Sequence, residues 1–312
     1  MDIIYGKAFS IKNTAICLGK FDGVHAGHRK LLSCIQKAKE KNGLSTAIFT
    51  FQMHPGTLFG TTRQQVLTTL VEKTAILEQE HIDTMIAYPF TKETAAMEPE
   101  DFVKEVLCSC CDAKWIVVGE DFRFGKQRRG DVSLLQEMAG PCGYTLQVVP
   151  KVEKAGNVVS STRIRACVEA GDMEQARELL QIPYHIAGTV VQGNQLGRTF
   201  GMPTANLLPE EEKLLPPYGV YAATVNMEGS WYSGITNIGE KPTIEGASAV
   251  GVETHIFAEL PQFYGSRITV CLHHFIRPER KFPSVVELKK QMEEDAKKAK
   301  EILQKHPFPS AT

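Results

Sequence analysis

Residues 14–28 read TAICLGKFDGVHAGH, and they decide the fold of the first half of the chain. Residues 14–18 form a short apolar run, the length of one buried strand. Gly19 and Gly23 then mark a tight turn, where glycine permits close backbone approach. From about His25 to Lys41, Leu31, Leu32, Ile35 and Ala38 recur on one helical face, and Gly43 stops the pattern. Strand, glycine turn and helix in that order open a β–α unit.

Working outward, the alternation repeats. Further strands are expected at residues 44–51, 82–88, 115–119 and 145–149, with helical patterns at 64–79, 99–110 and 132–139. Two short helices follow, at 161–170 and 172–180. Strands alternating with helices predict a parallel sheet covered on both faces. The character changes at Ile182-Pro183. Beyond it, β-rich runs at 186–191, 220–227, 231–238, 252–257 and 267–275 are punctuated by Gly, Pro and Asn, which predicts a small antiparallel barrel. An amphipathic helix over 284–304 closes the chain, with Val285, Leu288, Met292 and Ala296 facing inward and its Lys and Glu residues solvated. The expected organisation is an α/β domain over residues 1–183 and a barrel domain with a C-terminal helix over 184–312.

A chain of 312 residues is long enough for two such domains at roughly 150 residues each. Its 43% hydrophobic and 23% charged residues exclude a mainly disordered chain. Lys plus Arg total 35 against 36 Asp plus Glu, so there is no basic excess and no nucleic-acid partner is expected. No apolar run approaches the ~18 residues of a membrane span, so no membrane association is expected. The first ten residues carry Asp2 and Lys7 and lack the long apolar core of a secretory signal. Eight cysteines occur, and the cluster at 108–111 lacks a second ligand pair at zinc-site spacing. Reduced thiols in a cytoplasmic protein are the simpler reading.

The candidate chemistry begins in the opening turn. Gly19, Phe21, Asp22 and Gly23 are candidate nucleotide contacts at the carboxyl edge of a parallel sheet, where ligands bind in such folds. His25 and His28, three apart at a helix start, point to one side, beside free N–H groups that attract phosphate. Ser161, Thr162 and Arg165, within SSTRIR, either cap a helix or form a second phosphate clamp. GEDFRFG at 119–125 ends a strand. Its Asp121 and Phe124 either line a flat heteroaromatic ligand or anchor a loop to the core. The basic loop at 126–129 is expected to be mobile, and His54-Pro55 follows the second strand. In the second half, Thr204 and Asn206 offer oxygens two residues apart, suited to a hard cation such as Mg²⁺, although a turn is the default for Thr-Ala-Asn. Glu253 inside the apolar run VETHI needs a partner or a catalytic task if buried.

H-x-G-H, GEDFRFG and SSTRIR occur in the order found in the adenylyltransferase module of prokaryotic bifunctional FAD synthetases, and the first half resembles that module. It resembles the wider nucleotidyltransferase superfamily, and no P-loop pattern is present. The second half is similar to the riboflavin kinase module of the same family. The matching pieces are GTVVQGNQLGRTFGMPTANL, PPYGVYAATV, GITNIGEKPT, VETHI, FYG and IRPERKF, in family order. The resemblance implies an α/β nucleotidyltransferase-like Rossmann domain followed by a small antiparallel β-barrel domain with a C-terminal helix. It implies phosphorylation of riboflavin to FMN by the second module and adenylylation of FMN to FAD by the first, with ATP, riboflavin and FMN as substrates and Mg²⁺ as cofactor. Thr204 and Asn206 become Mg-ATP ligands, Glu253 the base, and Gly193, Gly197 and Arg198 part of the nucleotide site. His25 and His28 become the phosphate-stabilising pair, with Ser161, Thr162 and Arg165 as partners. His54, Pro55, Asp121 and Phe124 fall on the flavin side. The chain departs from the family pattern at Met53, Lys20, Asp121 and residues 257–263. Activity of only one module, or flavin binding without turnover, are the competing readings.

Overall fold

A computed structural model describes residues 1–53, 56, 65–191, 204–242, 248–258 and 264–305. His54, Pro55, Gly193, Gly197 and Arg198 lie outside the described residues. The chain divides into two compact units, Met1–Ser161 and Thr162–Thr312.

The first unit holds a parallel sheet of β1 (Asp2–Tyr5), β2 (Thr14–Leu18), β3 (Ser45–Phe51), β4 (Thr84–Tyr88), β5 (Ala113–Gly119) and β6 (Thr145–Val149). The spatial order is β1-β4-β3-β2-β5-β6. Every residue of β2 is buried, as a central strand covered on both faces requires. The chain leaves β2 toward β3 on one side and returns on the other side as β5. The strand order therefore switches direction between β2 and β5, the place where open α/β sheets form their ligand crevice.

Helix α1 (Ala26–Asn42) follows β2 and buries Leu31, Leu32, Ile35 and Ala38, the face read from the periodicity. Gly43, at φ 64°, ends it in the left-handed conformation, and its N–H returns to the Lys39 carbonyl. Helix α2 (Leu70–Gln79) begins with a capping box between Thr69 and Glu72. The short helix α3 (Lys92–Ala96) follows β4. The helix expected at 99–110 is a brief turn, Pro99–Asp101, that continues as a π-helix, Phe102–Cys110. Helix α4 (Val132–Cys142) precedes β6. The basic loop expected to be mobile is instead a folded turn. Phe124 and Gly130 exchange two backbone hydrogen bonds of 3.0 Å across it, and Lys126 bonds Glu98 at 2.6 Å. A two-stranded hairpin, β7 (Glu153–Lys154) and β8 (Asn157–Val158), also falls in this unit.

The second unit contains most of α5 (Ser161–Glu169), then α6 (Met173–Leu180) and six strands. These are β9 (Tyr184–Val191), β10 (Thr204–Leu207), β11 (Gly219–Met227), β12 (Ser230–Pro242), β13 (Ser248–Ile256) and β14 (Arg267–Pro278), followed by α7 (Val285–Leu303). They close into an antiparallel barrel in the order β10-β13-β12-β11-β14-β9. Helix α6 buries Met173, Ala176, Leu179 and Leu180 and packs on β9 and β14. For that reason the compact units part upstream of the compositional change at Ile182-Pro183. Alternation along β13 turns Val252, Thr254 and Ile256 inward and Glu253 and His255 to the outer face. Inside, Thr254 and Thr236 bond to each other at 2.9 Å. Helix α7 covers part of the outer face. Ala296, Ala299 and Leu303 are buried, and Leu288 and Met292 are half-buried. Val285, expected to face inward, is 60% exposed, because inward packing of the helix begins beyond its first turn.

Candidate active sites

The first site is built on the loop between β2 and α1. Phe21 (φ 50°), Gly23 (φ 86°) and Val24 (φ 40°) all lie at positive φ, and Phe21 and Val24 are fully buried non-glycine residues. Such backbone persists only where its surroundings hold it. The restraints are visible. The Asp22 carboxylate accepts from the backbone N–H of Leu67 at 2.7 Å and of Thr68 at 3.2 Å, and Gly23 N–H donates to the Thr68 hydroxyl at 3.0 Å. The Ser161 hydroxyl donates to the Asp22 carbonyl at 2.9 Å. Asp22 and Ser161, both expected to meet nucleotide, thus hold the loop itself. The Gly19 backbone N–H bonds the Phe49 carbonyl, which ties the loop to β3.

His25 is the N-cap of α1. Its Nδ1 accepts from the backbone N–H groups of Gly27 at 3.1 Å and His28 at 3.4 Å. A neutral imidazole with Nδ1 as acceptor carries its proton on Nε2, so that atom is a donor. The His28 ring stacks on it, with centroids 3.8 Å apart, and Phe21 packs 5.0 Å from His28. A β-carbon at Gly27 would lie 3.0 Å from the His25 ring, so the glycine of H-x-G-H leaves room for the imidazole. Burial pulls His25 down to about 4, against the opposing pull of Asp22. Burial, then His25 and then Lys73 push His28 well below the usual histidine range. At neutral pH both rings are therefore neutral, and each offers one N–H. The buried Nδ1 of His28 has no hydrogen-bond partner.

The remaining candidates in this half separate. Asp121, after β5, is exposed and pairs with Lys151 at 3.2 Å. Phe124 belongs to the core at 8% exposure, with its ring 5.5 Å from Phe102 and stacked on Phe122 at 5.6 Å. Phe124 therefore anchors its loop to the core rather than presenting a platform. Thr162 and Arg165 lie on α5 in the second compact unit.

The second site lies on the outer face of the barrel. Thr-Ala-Asn is not a turn but part of β10, paired with β13 and β9. Asn206 stands directly opposite Glu253, and the Thr204 hydroxyl donates to Glu253 Oε1 at 2.5 Å. The ladder register brings these three side chains to one patch. Glu253 is half-buried rather than sealed in the core, because its neighbours in sequence point the other way. Thr204 and Glu253 line a cavity of about 380 Å³ between the barrel and α7. Asn237, Arg277 and Glu279 line it too, and sequence reasoning gave them no role although the quoted motifs contained them. Asn237 donates to Glu279 at 2.9 Å, and Arg277 is held by Asp295 of α7 at 2.7 Å. The oxygen-only set of Thr204, Asn206 and Glu253 fits a hard cation.

Fold and sites together define a two-module transferase. Residues 8–163 match the family model for FAD synthetase, and residues 180–303 match that for riboflavin kinase. The chain is 36% identical over 289 residues to a bifunctional riboflavin kinase/FMN adenylyltransferase of Escherichia coli K12, covering 92% of each. It is 34% identical over 285 residues to the protein of that description from Listeria monocytogenes, covering 91% of this chain and 90% of the relative. A solved structure described as a macrolide-efflux protein from Streptococcus pneumoniae superposes with a TM-score of 0.84 at 26% identity, covering 99% of this chain and all of that one. Among the described residues, no helix is long and apolar enough to cross a membrane. The chain belongs to the bifunctional riboflavin kinase/FMN adenylyltransferase family.

Proposed function

We propose that the chain converts riboflavin to FMN at the barrel site and FMN to FAD at the histidine site, using one ATP for each step. The observation that carries this reading is that both family models match one chain, in order, over nearly its whole length. The adenylyltransferase module is assigned to residues 1–183 and the kinase module to 184–312. Thr162 and Arg165 are assigned to adenylyl transfer, so α5 is assigned to the first module although the second compact unit begins at Thr162.

In the kinase step the riboflavin 5′-hydroxyl attacks the γ-phosphorus of ATP, its proton passes to Glu253, and ADP leaves. An alcohol is a weak nucleophile, and a positioned base addresses that. Thr204 and Asn206 would hold Mg²⁺, which when bound offsets charge on the transferring phosphoryl group. Gly193, Gly197 and Arg198 are assigned to the nucleotide. In the adenylyl step a phosphate oxygen of FMN, already ionised near neutral pH, attacks the α-phosphorus of ATP, and pyrophosphate leaves. No strong base is required, and the site need only align groups and stabilise charge. Neutral His25 and His28 suit that task as N–H donors, with Arg165 and Thr162 as partners. His54, Pro55 and Asp121 are assigned to the flavin side. A cytoplasmic location accords with this chemistry.

Incubation with riboflavin and Mg-ATP followed by product chromatography tests the reading. FAD is the expected product. FMN alone means that only the kinase works, and neither product means binding without turnover.

A further inference from the structure

Lys73 is a buried lysine that none of the motifs singled out. It sits on α2 at 7% exposure. Its ammonium donates to the Lys20 carbonyl at 2.7 Å and to the Thr50 hydroxyl at 3.3 Å, and Thr50 itself donates to the same carbonyl at 3.0 Å. A buried ammonium bonded to neutral oxygens is costly, and an apolar side chain would fill the space more cheaply. Lys20 immediately precedes Phe21, whose backbone is at positive φ and whose ring packs on His28. A continuous set of contacts therefore runs from Lys73 through the Lys20 carbonyl and Phe21 to the histidine pair. The titratable groups facing Lys73 are Asp22, from the loop after β2, and His28, from α1. On the strand side β3 offers only the Thr50 hydroxyl to it. Glu72, on its own helix, is turned to the Thr69 backbone N–H.

We propose that Lys73 is a positioning residue of the adenylyl-transfer site, pinning the Lys20 carbonyl so that Phe21 stays packed against His28 and setting a positive charge beside the histidines. The proposal rests on the assignment of FMN adenylylation to the first module. It accounts for an ammonium in a place that packing alone would leave apolar. Burial first and His25 second keep His28 a neutral donor, and the cation disfavours a second charge there in the same direction. Burial lowers Lys73 to about 8, partly offset by Asp22, so the ammonium is present at neutral pH and is lost as pH rises through that value.

The test uses the full-length chain and the variants Lys73→Met and Lys73→Arg, with three readouts: FAD formed from FMN and Mg-ATP, FMN formed from riboflavin, and the His28 titration followed by NMR. Lys73→Met should lose FAD formation by roughly 10²-fold, the scale of a misplaced catalytic group, while FMN formation is unchanged. His28 should titrate at higher pH in that variant. The unsubstituted protein should lose FAD formation as pH rises through about 8, whereas Lys73→Arg should retain activity above it. FAD formation by Lys73→Met at the unsubstituted rate, with the His28 titration unmoved, would overturn the proposal. If the unsubstituted protein makes no FAD, the functional assignment fails, and the His28 titration alone decides the role of Lys73: an upward shift supports it and no shift overturns it. If Lys73→Met does not fold, the alkaline limb of Lys73→Arg decides. A limb displaced upward supports the role, and a limb identical to that of the unsubstituted protein overturns it.

Discussion

The two sites are built in opposite ways. The histidine site sits on an irregular loop whose backbone lies at positive φ at Phe21, Gly23 and Val24, and it is held by side-chain bonds from Asp22, Thr68, Ser161 and Lys73. The Glu253 site sits on a regular antiparallel ladder, where strand register alone sets Asn206 opposite Glu253 and Thr204 within a hydrogen bond. The first keeps its two histidines neutral through burial. The second leaves its carboxylate half-buried in the lining of a cavity. The difference matches the chemistry assigned to each. A phosphate nucleophile needs aligned neutral donors, which burial provides, and an alcohol nucleophile needs a positioned base.

That comparison breaks most readily at His28. His28→Ala removes a donor assigned to phosphate, and loss of one such donor costs about 2.7–4 kcal/mol in the transition state. FAD formation should collapse while FMN accumulates from riboflavin, as read by chromatography. Unchanged FAD formation would mean that the loop is structure only.

The burial half of the comparison has its own test in acid. His25 is held at about 4 in the folded protein against 6.5 for the free group. As pH falls from about 6.5 to about 4, the unfolded chain takes up a proton that the folded chain refuses, so stability declines through that window. The loss from His25 alone is on the order of 3 kcal/mol near pH 4, and His28 acts in the same direction. Denaturant melts of the first module at pH 7 and pH 4.5 should show the decline, and His25→Asn should reduce it.

On the ladder, Glu253→Gln keeps size and removes basicity. Riboflavin phosphorylation should fall by roughly 10²-fold, and FMN adenylylation should remain, measured with each substrate supplied separately. Near-normal FMN formation would remove Glu253 from the role of base.

The regular parts of both modules were legible because their periodicity is local. The face of α1 and the strands β2 and β6 are read directly from residues 14–43 and 145–149. What escaped depends on partners distant in sequence. β10 has four residues and little β-pattern of its own, and it becomes a strand only through pairing with β13 and β9. For Phe124 the sequence leaves a ligand platform and a core anchor open, and its packing on Phe102 makes it an anchor. Lys73 falls in no motif, and its partners Lys20 and Thr50 lie 53 and 23 residues away in sequence. The residues singled out by motif carry a local signal in glycine spacing or alternation, whereas the groups that hold them in place carry none.

The central claim is that one chain carries two separate and sequential activities. Mixing equal amounts of Glu253→Gln and His28→Ala with riboflavin and Mg-ATP tests it most directly. Each variant alone should make little FAD, and the mixture should restore it, because FMN released by the His28→Ala protein is adenylylated by the Glu253→Gln protein. A mixture that accumulates FMN without FAD, or that makes neither product, would contradict the two-site account.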